Sequence, residues 1–198
     1  MSLLRIYQPK IAIAAALVLC VPVVSALELD CTTLKDAISA SEQDFAAFRG
    51  ARRELPPDPE MAELQRIEGF SSTRDEYATE RRLAAAAVCS VVVARAEDPE
   101  SIISEARYTC LWPATGTSPA QFDQLRKALQ DCRIPADVDE DDPDTYSLMI
   151  DRVESGEGWG GFSVVLERQA ASIDAGPSVS VVHAFCQAKT LGGCEDDD

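Results

Sequence analysis

The chain has 198 residues, 46% of them hydrophobic and 26% charged, the balance of one globular domain rather than of a disordered or fibrous chain. Its 18 Lys and Arg stand against 34 Asp and Glu, a formal net charge of −16, so the like-charged phosphates of nucleic acid are not an expected partner.

Residues 11–27 carry no charge, follow Arg5 and Lys10, and lead into Val24-Ser25-Ala26, where small side chains fit a signal peptidase pocket. A signal peptide over 1–26 is expected, followed by a single mature domain over 27–198 with an acidic tail at 195–198. The uncharged run is interrupted by Pro22 and is shorter than the ~20 apolar residues of a spanning helix, so no stable membrane anchor is expected after cleavage. Leu17-Val18-Leu19-Cys20 resembles a lipobox but has Leu19 where a small residue belongs. The cut removes two positive charges and makes the mature chain more acidic still.

It also removes Cys20 and leaves Cys31, Cys89, Cys110, Cys132, Cys186 and Cys194. An even number of cysteines on an exported chain predicts three disulfides and a periplasmic or secreted location. No C-x-x-C spacing points to zinc. Cys186 with Cys194, across Gly192-Gly193, is the expected local pair, and the other pairings stay open. Asn is absent, so no N-x-S/T glycosylation acceptor exists.

Thr33 and Asp36 resemble a capping box, and Leu34, Ile38, Phe45 and Phe48 then recur at helical spacing before Gly50; a helix over 33–49 is expected, with Gly50 as its left-handed stop. A second, short helix is expected from Asp58, with Pro59 in its first turn. Ser72 to Ala87 reads as helix because of its Arg, Glu and Ala, switching near Ala86 into a strand at Val88–Val93. Ala106 to Trp112 alternates into a partner strand. Ser118, Pro119 and Gln121 start a helix over 119–132, with Phe122, Leu125 and Leu129 on one face. Residues 136–144 read as an acidic loop, and 146–153, 162–168 and 179–185 as three strands joined by turns. The fold expected is α+β: a mostly antiparallel sheet of about five strands with two main helices packed on one face, in the order α-β-β-α-β-β-β, stapled by disulfides. No internal repeat is visible in the sequence.

The single histidine, His183, alternates with Val179, Val181 and Phe185, and no nucleophile or acid is recognisable beside it, so it is expected to be structural. Ser163 follows Gly161 but lacks the second glycine of a nucleophile elbow, Val165 standing there instead. Gly156, Gly158, Gly160 and Gly161 lack the following helix of a phosphate loop. Asp137, Asp139, Glu140, Asp141, Asp142 and Asp144 are dense enough to interest calcium, yet Leu148 occupies the twelfth EF-hand position; a solvated acidic loop is expected, with no metal and no cofactor. Trp159, between Gly158 and Gly160-Gly161 near a hairpin tip, is the candidate interaction residue. The expectation is an exported non-catalytic domain binding a protein or cell-envelope component, with no catalytic residue. The alternative is an exported hydrolase using two of the many carboxylates.

Overall fold

The structure, a computed structural model, describes residues 29–54, 71–84, 86, 88–114, 118–140, 142–155, 158–168, 175–190 and 193–194. The signal segment, the expected helix from Asp58 and the acidic tail at 195–198 lie outside the described residues.

Helix α1 spans Cys31–Ser41. Its cap is Asp30, whose carboxylate accepts from the Thr32 N–H (2.9 Å), the Thr33 N–H (3.2 Å) and the Thr33 hydroxyl (2.7 Å), in place of the expected Thr33. These bonds, the Thr33 hydroxyl first, hold the Asp30 carboxyl below the usual range. The expected helix over 33–49 breaks after Ser41 because Asp44 and Phe45 turn left-handed (φ 50° and 57°), and Ala46–Phe48 forms a single 3-10 turn. The apolar spacing nonetheless marked the right residues: Leu34, Phe45 and Phe48 are all buried, and both phenyl rings lie against Tyr108, at 6.1 and 5.0 Å between centroids. Gly50 is not the left-handed stop expected. It donates to Ala78 O at 2.7 Å, and a Cβ there would meet that oxygen at 2.6 Å.

Eight strands follow in one antiparallel sheet: β1 (Arg52–Arg53), β2 (Ser71–Ala78), β3 (Val88–Glu97), β4 (Ser101–Pro113), β5 (Asp137–Asp139), β6 (Thr145–Ser155), β7 (Gly158–Glu167) and β8 (Ala175–Ala188), with helix α2 (Ser118–Asp131) between β4 and β5. The expectation of about five strands in the order α-β-β-α-β-β-β is therefore overturned. Three strands went unrecognised. Ser71–Ala78, expected to be helical, pairs with β3 along its whole length, from Ser71 opposite Glu97 to Ala78 opposite Ser90, and cross-strand pairing outweighs the helix preference of its Arg, Glu and Ala. β1 and β5 are edge strands of two and three residues, built from Arg and Asp, the residue types that blunt a sheet edge.

The strand order is β1-β2-β3-β4-β8-β7-β6-β5. Among the described residues each half of the chain contributes one α-helix and four strands, and the halves meet antiparallel at β4 and β8, so the described topology is pseudo-twofold. The buried helix faces repeat as well: Leu34, Ala37 and Ser41 on α1 have the same spacing as Phe122, Leu125 and Leu129 on α2, and all six are buried.

Both helices pack on one face of the sheet, called inner below. One inner row runs Tyr77, Val91, Tyr108, Val181, Val164, Leu148, Val138 across seven strands, and the next runs Cys89, Cys110, Val179, Leu166, Tyr146. Val91, Tyr108, Val181 and Val164 are fully buried. The Tyr108 hydroxyl donates to Arg81 O at 2.9 Å, and burial pushes its pKa up.

All six expected cysteines are paired. Cys31–Cys132 joins the start of α1 to the residue after α2, Cys89–Cys110 crosses β3 and β4, and Cys186–Cys194 is the expected local bridge. Three disulfides fit an oxidising, extracytoplasmic environment. Among the described residues no helix is long and apolar enough to cross a membrane.

Candidate binding site

Each described helix is shorter than the long strands it packs on. Helix α2, with 14 residues, is about 21 Å long at 1.5 Å per residue, and α1, with 11, is shorter. The 14-residue strand β8 runs about 46 Å at 3.3 Å per residue. Among the described residues, the end of the sheet carrying Phe185, Val153 and Ile103 keeps apolar side chains accessible. Coverage by α1 ends at Ser41, whose carbonyl meets His183 Nδ1 at 3.1 Å. Past this point lie the end of β8, the beginnings of β4 and β7 and the end of β6.

Apolar side chains stay accessible on both faces of this end. On the inner face, the His183 ring stacks on Phe162 at 4.3 Å and 14°, and Phe185 lies 5.7 Å from His183, tilted by 40°. Phe185 is opposite Gly160, which is opposite Val153; Phe185 is 37% exposed and Val153 61%. On the outer face a second row runs Trp159, Cys186, Ile103, Ala96, with Ile103 42% exposed. Farther along the outer face the sheet is polar and satisfied: Thr109 and Ser180 hydroxyls meet at 2.9 Å, and Ser178 donates to Glu167 at 3.3 Å. Val88 and Val138 are also exposed, each outside these rows.

The overhang is braced at its tip. Lys189 and Thr190 N–H groups donate to Glu100 O at 2.7 and 3.3 Å, and Lys189 Nζ reaches Glu97 (2.8 Å) and the Asp98 carbonyl (2.6 Å). Lys189 lowers the pKa of Glu97, chiefly by its hydrogen bond, while the backbone N–H groups of Ser101 and Glu100 lower that of Asp98. Gly193 packs so tightly that a Cβ would lie 2.2 Å from Glu100 O, and the Cys186–Cys194 bridge holds this segment to β8.

Of the residues singled out from sequence, Trp159 is the second residue of β7, half-buried, paired with Glu154 and Cys186. On the outer face its neighbour across the ladder is Cys186 of β8, with Ile103 of β4 one strand farther. His183 has a backbone partner and two aromatic neighbours. In the acidic stretch, Asp137–Asp139 forms β5, Asp142 accepts from the Asp144 N–H and the Thr145 hydroxyl, and Asp144 pairs with Arg168 at 3.2 Å. Among the described residues no group of three His, Cys, Asp or Glu is placed to hold a metal ion.

Sequence reasoning missed Phe162, Phe185, Val153, Ile103 and Asp151. The available signal was strand length: once β4 and β8 are given 13 and 14 residues, their apolar alternation outruns any helix of the length seen here. Asp151 carried no such signal, because a register shift between Met149 and Asp151 places Asp151, rather than Ile150, opposite Phe162. The comparisons supply no precedent for this site: no family model, curated protein or solved structure matches the chain.

Proposed function

We propose that the protein is an exported, non-catalytic domain, periplasmic or secreted, that binds a protein or envelope component through the overhanging end of its sheet. The observation carrying this reading is the partial exposure of Phe185, Val153 and Ile103 on the two faces of one braced sheet end. Apolar surface held in a fixed frame and left accessible is the usual form of an interaction site. Trp159, beside Cys186 and two strands from Ile103, belongs to this surface and supplies the aromatic contact area that anchors favour.

The test uses the oxidised full chain as bait against native envelope extract, beside Ile103→Glu and Val153→Glu, both at exposed positions. A partner retained by the wild type and lost by either variant, with unchanged melting, supports the reading. Turnover on a hydrolase substrate panel, together with capture that both variants leave intact, overturns it.

A further inference from the structure

The inner face of the overhang carries more than apolar surface. The register shift on β6 brings Asp151 into one row with Phe162 on β7 and His183 on β8. Bulges of this kind re-aim a side chain and concentrate beside functional sites. Asp151 is exposed, and among the described residues no ion pair engages it. The neighbouring cations are occupied: Arg49 is bonded to the Asp44 carbonyl and lies 5.2 Å from the Tyr77 ring centroid, and Arg95 pairs with Glu97. Gly160 leaves the space beside Phe185 free of a side chain.

We propose that this row takes a cationic side chain, Arg or Lys, from an apolar-flanked segment of a partner protein. The guanidinium or ammonium lies against the exposed Phe185 ring at the edge of the Phe162–His183 stack, the carboxylate of Asp151 supplies the opposite charge, and flanking apolar residues cover Val153. Aromatic faces and carboxylates both favour a cation, and neither favours an anion. The net charge of −16 draws the same kind of partner toward the surface. The inference rests on the binding reading above and narrows it to one face and one ligand chemistry.

The probe is an acetylated, amidated peptide of alternating Arg and Val, compared with a matched Glu and Val peptide by fluorescence anisotropy in about 150 mM salt, where long-range attraction is screened. The Arg peptide should bind and the Glu peptide should not. Asp151→Asn should weaken the Arg peptide about fivefold and Phe185→Ala about tenfold, whereas Asp123→Asn, which removes the same charge from an exposed site on α2, should leave it unchanged. Equal effects of Asp151→Asn and Asp123→Asn would assign the binding to overall charge and overturn the proposal, as would equal binding of the two peptides or binding of neither. An envelope partner lost by Ile103→Glu but bound with unchanged affinity by Asp151→Asn would overturn this proposal while leaving the binding reading standing.

Discussion

Removing the Cys31–Cys132 bridge should destabilise the protein substantially more than removing Cys186–Cys194. The two bridges are matched in everything but loop length: each has one buried cysteine, Cys132 and Cys186, and one half-buried cysteine, Cys31 and Cys194. Replacing both members of either pair by Ala therefore costs similar packing. Their sequence separations are 101 and 8. Chain-entropy arithmetic gives about 4.7 kcal/mol for the long loop and about 2.5 for the short one, a difference of about 2 kcal/mol. Urea titrations of the two double-Ala variants read this difference directly, and the m-value should rise more for the Cys31/Cys132 variant because its unfolded state expands more. Equal losses, or a larger loss at Cys186/Cys194, would refute the argument and show that the clasp on Glu100 outweighs the tie between α1 and the end of α2.

Three further substitutions have defined outcomes. Trp159→Ala should cost about 1.5 to 2.5 kcal/mol in chemical denaturation, half of what a fully buried Trp would lose, because the indole is half-buried. Gly158→Ala should cost about 3 kcal/mol by the same assay, since φ is +147° and the added Cβ would sit 2.0 Å from Cys186 O. Asp30→Ala should cost about 1 kcal/mol at neutral pH through loss of the α1 cap. The folded-state pKa of Asp30 is lowered, so its contribution is present above the unfolded pKa and is lost as pH falls through the folded one; wild type and variant should converge in acid melts.

The interior was more legible than the architecture. Periodicity found Leu34, Phe45, Phe48, Phe122, Leu125 and Leu129 because burial imposes the same spacing whether the chain is one helix or, as here, a helix and a 3-10 turn. It could not show the break at Asp44 and Phe45, which depends on both phenyl rings reaching Tyr108 across the fold. β2 was misread because Arg, Glu and Ala prefer helix locally, while the partners that make 71–78 a strand, Arg52 and Arg53 on one side and β3 on the other, lie far away in sequence. The pseudo-twofold topology left no sequence repeat because it is carried by pairing order and by two similarly spaced helix faces rather than by residue identity. Trp159 was found through its flanking glycines. The aromatic group on the opposite face was hidden because Phe162 and Asp151 come from separate strands and reach His183 and Phe185 only through register.

The positions of charge constrain how a partner can approach the overhang. Sheet edges invite strand addition, and here both are guarded: Arg52 and Arg53 of β1 are paired with Asp75 and Glu76 of β2, and β5 presents Asp137 and Asp139. Past β5, strand β6 faces outward with the register shift before Asp151 and with charged Asp151 and Arg152, features that disfavour continued ladder pairing. The faces of the overhang carry apolar side chains as well as charge, with Phe185 and Val153 beside Asp151 on one and Trp159 and Ile103 on the other. A partner adding a strand would meet bulge and charge, whereas one laying side chains on a face would meet aromatic and aliphatic surface already held by the Glu100 clasp and the Cys186–Cys194 bridge. On the binding reading proposed above, that contrast favours recognition through side chains over backbone pairing. It also makes Ile103→Glu and Asp151→Asn more informative probes of binding than any change at β1 or β5.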